Sequence, residues 1–118
     1  MSRPTPESTE AYRKAGLVAA EVRSRSRRHV ELNRRLADVC ESVEKWIIEL
    51  GGTPAFPCNV SINEVAAHYT SSLDDERVVP PRSIVKVDIG AHIDGYIADT
   101  AVTICFNPEY SRLVTAAE

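Results

Sequence analysis

The chain has 118 residues, 43% of them hydrophobic, and 17 acidic against 14 basic side chains give a formal net charge of −3; this suits one ordinary soluble domain and excludes the disordered class and any global attraction to nucleic acid or an anionic membrane. No apolar run approaches the ~18 residues of a membrane span, and the polar start "MSRPTPESTE" is no signal peptide. Cys40, Cys58 and Cys105 are odd in number, widely spaced and without a CxxC, which indicates neither a disulfide framework nor a thiolate zinc site and points to a reducing compartment, the cytoplasm.

In chain order, Tyr12, Ala15, Val18, Ala19 and Val22 recur at helical spacing and predict a first helix over residues 7–28. A second stripe, Leu36, Val39, Cys40, Val43, Ile47 and Leu50, predicts a second helix that stops at Gly51-Gly52. The linking run "RSRSRRHVELNRR" reads as a solvated helix end whose arginines suit the macrodipole, with a ribosomal RNA contact as the other reading; His29 within it carries no separate signal. In "TPAFPCNVSINEVAAHYT", Pro54 and Pro57 forbid a continuous helix and bracket short extended pieces. A Pro-rich loop, "SSLDDERVVPPRS", follows. "IVKVDIGAHIDGYIADTAVTICF" then predicts a hairpin turning at Asp94-Gly95, and "NPEYSRLVTAAE" opens another helix with Asn107 as cap and Pro108 at its first position.

With a two-residue turn, Ile93 pairs with Tyr96 and Gly90 lies opposite Asp99, diagonal to Asp88. Alternation then puts Asp88, Gly90 and His92 on one face with Ile97, Asp99 and Ala101. The other face, Val85, Val87, Ile89, Ala91, Ile93, Tyr96, Ala98, Val102 and Ile104, is the core face that the two helices can cover. Gly90 is expected to leave space open beside Asp99, and His92, near the turn, to be exposed. Two carboxylates this close share a proton, meet a cation or repel. They are either ligands of a divalent metal pair or residues of a solvated face, and geometry alone does not separate the two. His68 follows the apolar stretch "EVAAHYT" and is either a satisfied structural histidine or a donor to a developing oxyanion.

The pieces "PAFPCNVSINEVAAHYT" and "VKVDIGAHIDGYIADTAVTI" resemble the methionine aminopeptidases, in particular the archaeal-like type II branch. The eleven-residue step from Asp88 to Asp99 agrees with that family's first two metal ligands, and "HYT" favours type II. The resemblance implies an α/β (α+β) architecture, the N-terminal half of the pita-bread (creatinase/aminopeptidase) fold, with two helices packed on an antiparallel sheet. It implies metal-dependent removal of the N-terminal methionine from nascent polypeptides in the cytoplasm, with two divalent ions (Co, Mn, Fe or Zn) activating water and ribosome proximity following from the substrate. Asp88 and Asp99 would hold metal, His68 would contact substrate and stabilise the tetrahedral intermediate, and Phe56 would line the methionine side-chain pocket.

The family completes its site with a histidine and two glutamates from a second half. Glu109 and Glu118 stand in no matching motif, so residues 1–118 read as a single incomplete domain, inactive alone, with an open apolar surface that favours self-association or docking of the missing C-terminal half. Leu32-Asn33 replaces the Pro-Gly common in relatives, and Asn33 can adopt the left-handed conformation such a turn needs. Two rivals stand beside this reading. Prolidase-like peptidases share the aspartate spacing but usually follow the second aspartate with a Thr-Arg-Thr-like run, absent from "DTAVT"; a silent pita-bread scaffold would bind peptide, nascent chain or RNA.

Overall fold

A computed structural model describes residues 5–63 and 76–110. Helix α1 spans Pro6–His29 and α2 spans Leu36–Glu49, close to the expected bounds. α1 begins one residue earlier than expected because Thr5 and Ser8 form a reciprocal cap: Thr5 Oγ1 accepts from the Ser8 N–H at 3.0 Å, and Ser8 Oγ accepts from the Thr5 N–H at 2.7 Å. Its buried stripe is Ala11, Ala15, Val18, Ala19, Val22 and Ser26. Tyr12, read from the sequence as part of that stripe, is instead 53% exposed and packs edge-on against Tyr96, ring centroids 4.8 Å apart. An aromatic at the rim keeps its hydroxyl wet while still covering apolar surface.

α2 has no side-chain cap. Its first N–H is satisfied instead by the segment before the sheet: Leu36 N donates to Arg77 O at 2.9 Å, and Asn33 N and Val79 N exchange bonds with Val79 O and Arg34 O. Asn33 takes φ 68°, the left-handed turn expected of it. At the other end Gly51, at φ 96°, stops the helix.

Four strands follow: β1 (Thr53–Pro54), β2 (Asn59–Ile62), β3 (Ile84–Ile93) and β4 (Tyr96–Cys105). β3 pairs antiparallel with β4 along its whole length, from Ile84↔Cys105 to Ile93↔Tyr96. On its other side β3 carries two short strands end to end, β1 against Ala91 and His92 and β2 against residues 85–88. The extended pieces bracketed by proline are therefore the sheet's third row. Val85, Val87, Ile89, Ala91 and Val102 are all buried beneath α1 and α2, joined by Val39, Val43, Ile47 and Val60. Each such side chain, withdrawn from water, contributes roughly 1.5–3 kcal/mol. After β4, Asn107 Oδ1 accepts from Glu109 N at 3.1 Å and caps a single 3₁₀ turn, Pro108–Tyr110; the rest of the expected helix lies outside the described residues.

His29 carries more than the sequence suggested. Its ring packs edge-on against Trp46 at 5.1 Å, and its Nε2 is buried without a hydrogen-bond partner among the described residues. Burial first, and then the positive charge of Arg34, lower its pKa, against smaller opposing effects of Glu31 and Asp38. Because the folded state holds the ring neutral, the unfolded chain binds more protons as pH falls below the ordinary imidazole value near 6.5. Stability is thus complete above that value and is lost as pH falls towards the lowered folded pKa. Urea midpoints measured between pH 7.5 and 5 should decline, and His29→Gln should flatten the decline; an unchanged slope would contradict this role.

Candidate functional site

Asp88 and Asp99 are placed by the hairpin register. The turn residues Asp94 and Gly95 take φ 52° and 85°, the positive values a two-residue reversal requires. The register gives Gly90↔Asp99 and Asp88↔Ala101, so both carboxylates rise from the face opposite the core. Asp88 keeps only 19% of its side-chain exposure, and Asp99 is exposed. Neither is shut in the core, which answers the cost of an acid in a buried sheet.

Three features of this face went unread in the sequence. Lys86, two residues before Asp88 and therefore on the same face, brings Nζ to 3.3 Å from Asp88 Oδ1. Asn59 of β2 lies directly across from Asp88. Arg23 reaches from α1 to the outer edge of β4, where its Nε donates to Ala101 O at 2.8 Å. Beside that edge a groove of about 670 Å³ runs between α1 and β4, with Asp99, Lys86 and Arg23 among its walls and Gly16, Ala19 and Ala20 on the helix side. Strand parity would have found Lys86; the other two depend on which strand and helix lie alongside, which no local pattern encodes.

Two expectations are corrected. Gly90 does not leave open space beside Asp99. The chain between β1 and β2 crosses over it, Ala55 N donating to Gly90 O at 2.9 Å, and the Phe56 ring lies on the glycine so closely that a Cβ there would sit 2.1 Å from Phe56 Cε1. Glycine is needed because an aromatic ring fills the position of its absent side chain. His92 is half-buried rather than exposed, and its Nδ1 accepts from the Gly95 N–H at 3.2 Å, bracing the turn. His68 lies outside the described residues.

The donor chemistry of the acidic face fits a hard divalent cation: two carboxylates on adjacent strands, with the amide residue Asn59 beside them. The number of donors does not complete such a site. Among the described residues no three His, Cys, Asp or Glu side chains are grouped to hold a metal, whereas each such ion takes roughly six oxygen donors.

Comparison with known proteins places this half-equipped face in context. Residues 10–118 match the model of metallopeptidase family M24. The chain belongs to metallopeptidase family M24. Among curated relatives, this M24 chain is 48% identical over 112 residues to a methionine aminopeptidase of Methanocaldococcus jannaschii, covering 95% of this chain and 38% of that protein. The chain thus spans little more than a third of the length of the curated relatives it matches. Among solved structures, a methionine aminopeptidase from Thermotoga maritima superposes with a TM-score of 0.84 at 30% identity, over 98% of this chain and 50% of that one. A prolidase from Pyrococcus furiosus superposes at 0.81 with 23% identity, over 92% and 33%, a likeness of fold alone. Two helices on an antiparallel sheet form one half of the M24 pita-bread fold, and membership of a metallopeptidase family implies use of a divalent metal.

Proposed function

We propose that this chain supplies the first part of the active site of a methionine aminopeptidase, with Asp88 and Asp99 as two carboxylate ligands of a pair of divalent ions (Co, Mn, Fe or Zn). The observation that carries this reading is the register Gly90↔Asp99, which turns both acids away from the core on neighbouring strands. A bound divalent metal supplies Lewis-acid activation of water and of the peptide carbonyl. The chain's own residues bind and orient. Asp88 and Asp99 would hold the cations, and Lys86, an exposed partner worth at most about 1 kcal/mol, pairs with Asp88 in this fold. Phe56 on Gly90 forms an apolar floor that suits an unbranched thioether side chain. His68, by the family resemblance, donates a hydrogen bond to the substrate carbonyl as charge develops there. Nascent polypeptides, met near the ribosome in the cytoplasm, are the substrate class. The remaining ligands come from residues beyond this half-domain, and residues 1–118 alone are inactive. Ile97 is 55% exposed on the acidic face, which favours docking of the complementary half or self-association. Among the described residues no helix is long and apolar enough to cross a membrane.

The test is hydrolysis of the tripeptide Met-Ala-Ser by the full-length gene product. Release of methionine that chelation abolishes and Mn or Co restores is the expected result. A folded, metal-loaded product that releases none would favour the scaffold reading, and preferential cleavage of X-Pro peptides would favour the prolidase-like one.

A further inference from the structure

Cys40 and Cys58 take no part in the proposed site, yet they meet inside the core. Cys40 stands on the buried face of α2, and Cys58 ends the crossing that carries Phe56 over Gly90, one residue before β2. They are 5% and 2% exposed. The Cys40 Sγ donates to Cys58 O at 3.5 Å, and the Cys58 N–H donates to Glu44 Oε1 at 3.1 Å, so α2 holds the Cys58 backbone at two points. The neighbouring Cys40 thiol, and then burial, raise the Cys58 pKa. With Cys40 Sγ 3.5 Å from the Cys58 carbonyl, the two cysteines stand side by side on separate elements 18 residues apart, the neighbourhood a disulfide needs.

We propose that Cys40 and Cys58 are a redox modification site, at which a peroxide converts the two thiols into one intramolecular disulfide that ties the Phe56 crossing to α2. The step balances in two parts. One thiol takes an oxygen from hydrogen peroxide and becomes a sulfenic acid, releasing water; the second sulfur then attacks it, the S–O bond breaks, a second water leaves and the S–S bond forms. The two thiols lose two electrons, and the peroxide is reduced to two waters. In the closed fold both thiols are sheltered, so oxidation waits on opening of the crossing at the exposed Pro57. The proposal stands on this geometry and is independent of the peptidase reading.

The 118-residue chain, treated with millimolar hydrogen peroxide, unfolded, alkylated and digested, should show titratable thiols falling from three to one. A Cys40–Cys58 cross-linked peptide lacking two hydrogens should appear and revert with a thiol reductant. Sub-denaturing urea should speed its formation, and amide exchange across residues 55–58 should slow in the oxidised protein. Cys105→Ser should leave the product unchanged, and Cys58→Ser should abolish it. Retention of both thiols, oxidation of either to the sulfinic acid without cross-linking, or cross-links running through Cys105 would each overturn the proposal. The wild-type peptide map decides even where a cysteine variant folds poorly.

Discussion

Replacing Asp99 by Asn in the full-length gene product is expected to lower kcat/KM for Met-Ala-Ser by at least about 100-fold, because loss even of a group one layer behind a metal ligand commonly costs 10–100-fold. The substitution keeps the shape and removes the charge. Asp99 is exposed, and its partner across the ladder is Gly90, so among the described residues no packing or hydrogen bond depends on its carboxylate. Stability should therefore shift by no more than about 0.5 kcal/mol, which separates a functional loss from a folding defect. Asp88→Asn should behave similarly in activity. Here Lys86 loses its partner, but an ion pair with side chains 45% and 19% exposed contributes little. Asp99→Asn activity within a few fold of wild type, in protein shown to be folded and metal-loaded, would remove Asp99 from the ligand set.

Much of this site was legible in the sequence because it is local. Asp94-Gly95 determines the turn, the turn determines the pairing, and period-two alternation then assigns a face to every residue from Ile84 to Cys105. The helices were equally legible from their stripes, though Tyr12 and Ala11 exchanged places at the rim, where one residue of rotation separates burial from exposure. What escaped depends on distant approach. Phe56 and Gly90 are far apart in the chain, and nothing in either stretch announces that β1 and β2 line up along β3 so that the ring lands on the glycine. Reading Gly90 as open space took a missing side chain for a missing neighbour. Cys40 and Cys58 show the same limit: spacing alone argued against a paired role, and only the packing of α2 on the crossing brings the Cys40 thiol against Cys58.

Gly90→Val tests that close approach, and it should destabilise the chain by about 2 kcal/mol, in the range for overpacking a filled site. For a domain of this size that lowers Tm by roughly 10 °C. The new Cβ would lie 2.1, 2.5 and 2.7 Å from three ring carbons of Phe56, distances that force the ring or its crossing to move. The cause is separable from any intrinsic effect of valine, since a β-branched residue in a strand is favoured over glycine by up to about 1 kcal/mol. Phe56→Ala alone should cost about 1–2 kcal/mol, less than a fully buried aromatic, because the ring is half-buried. In the Phe56→Ala background the clash is gone, and Gly90→Val should become neutral or stabilising, a coupling of more than 1 kcal/mol in a double-mutant cycle. Additivity within 0.5 kcal/mol would show that the ring does not rest on this glycine. The same displacement bears on function: with Phe56 pushed off, the proposed floor for the methionine side chain is lost while Asp88 and Asp99 keep their places on the ladder. In the full-length protein Gly90→Val should therefore raise KM for Met-Ala-Ser far more than it lowers kcat, the reverse of the Asp99→Asn signature.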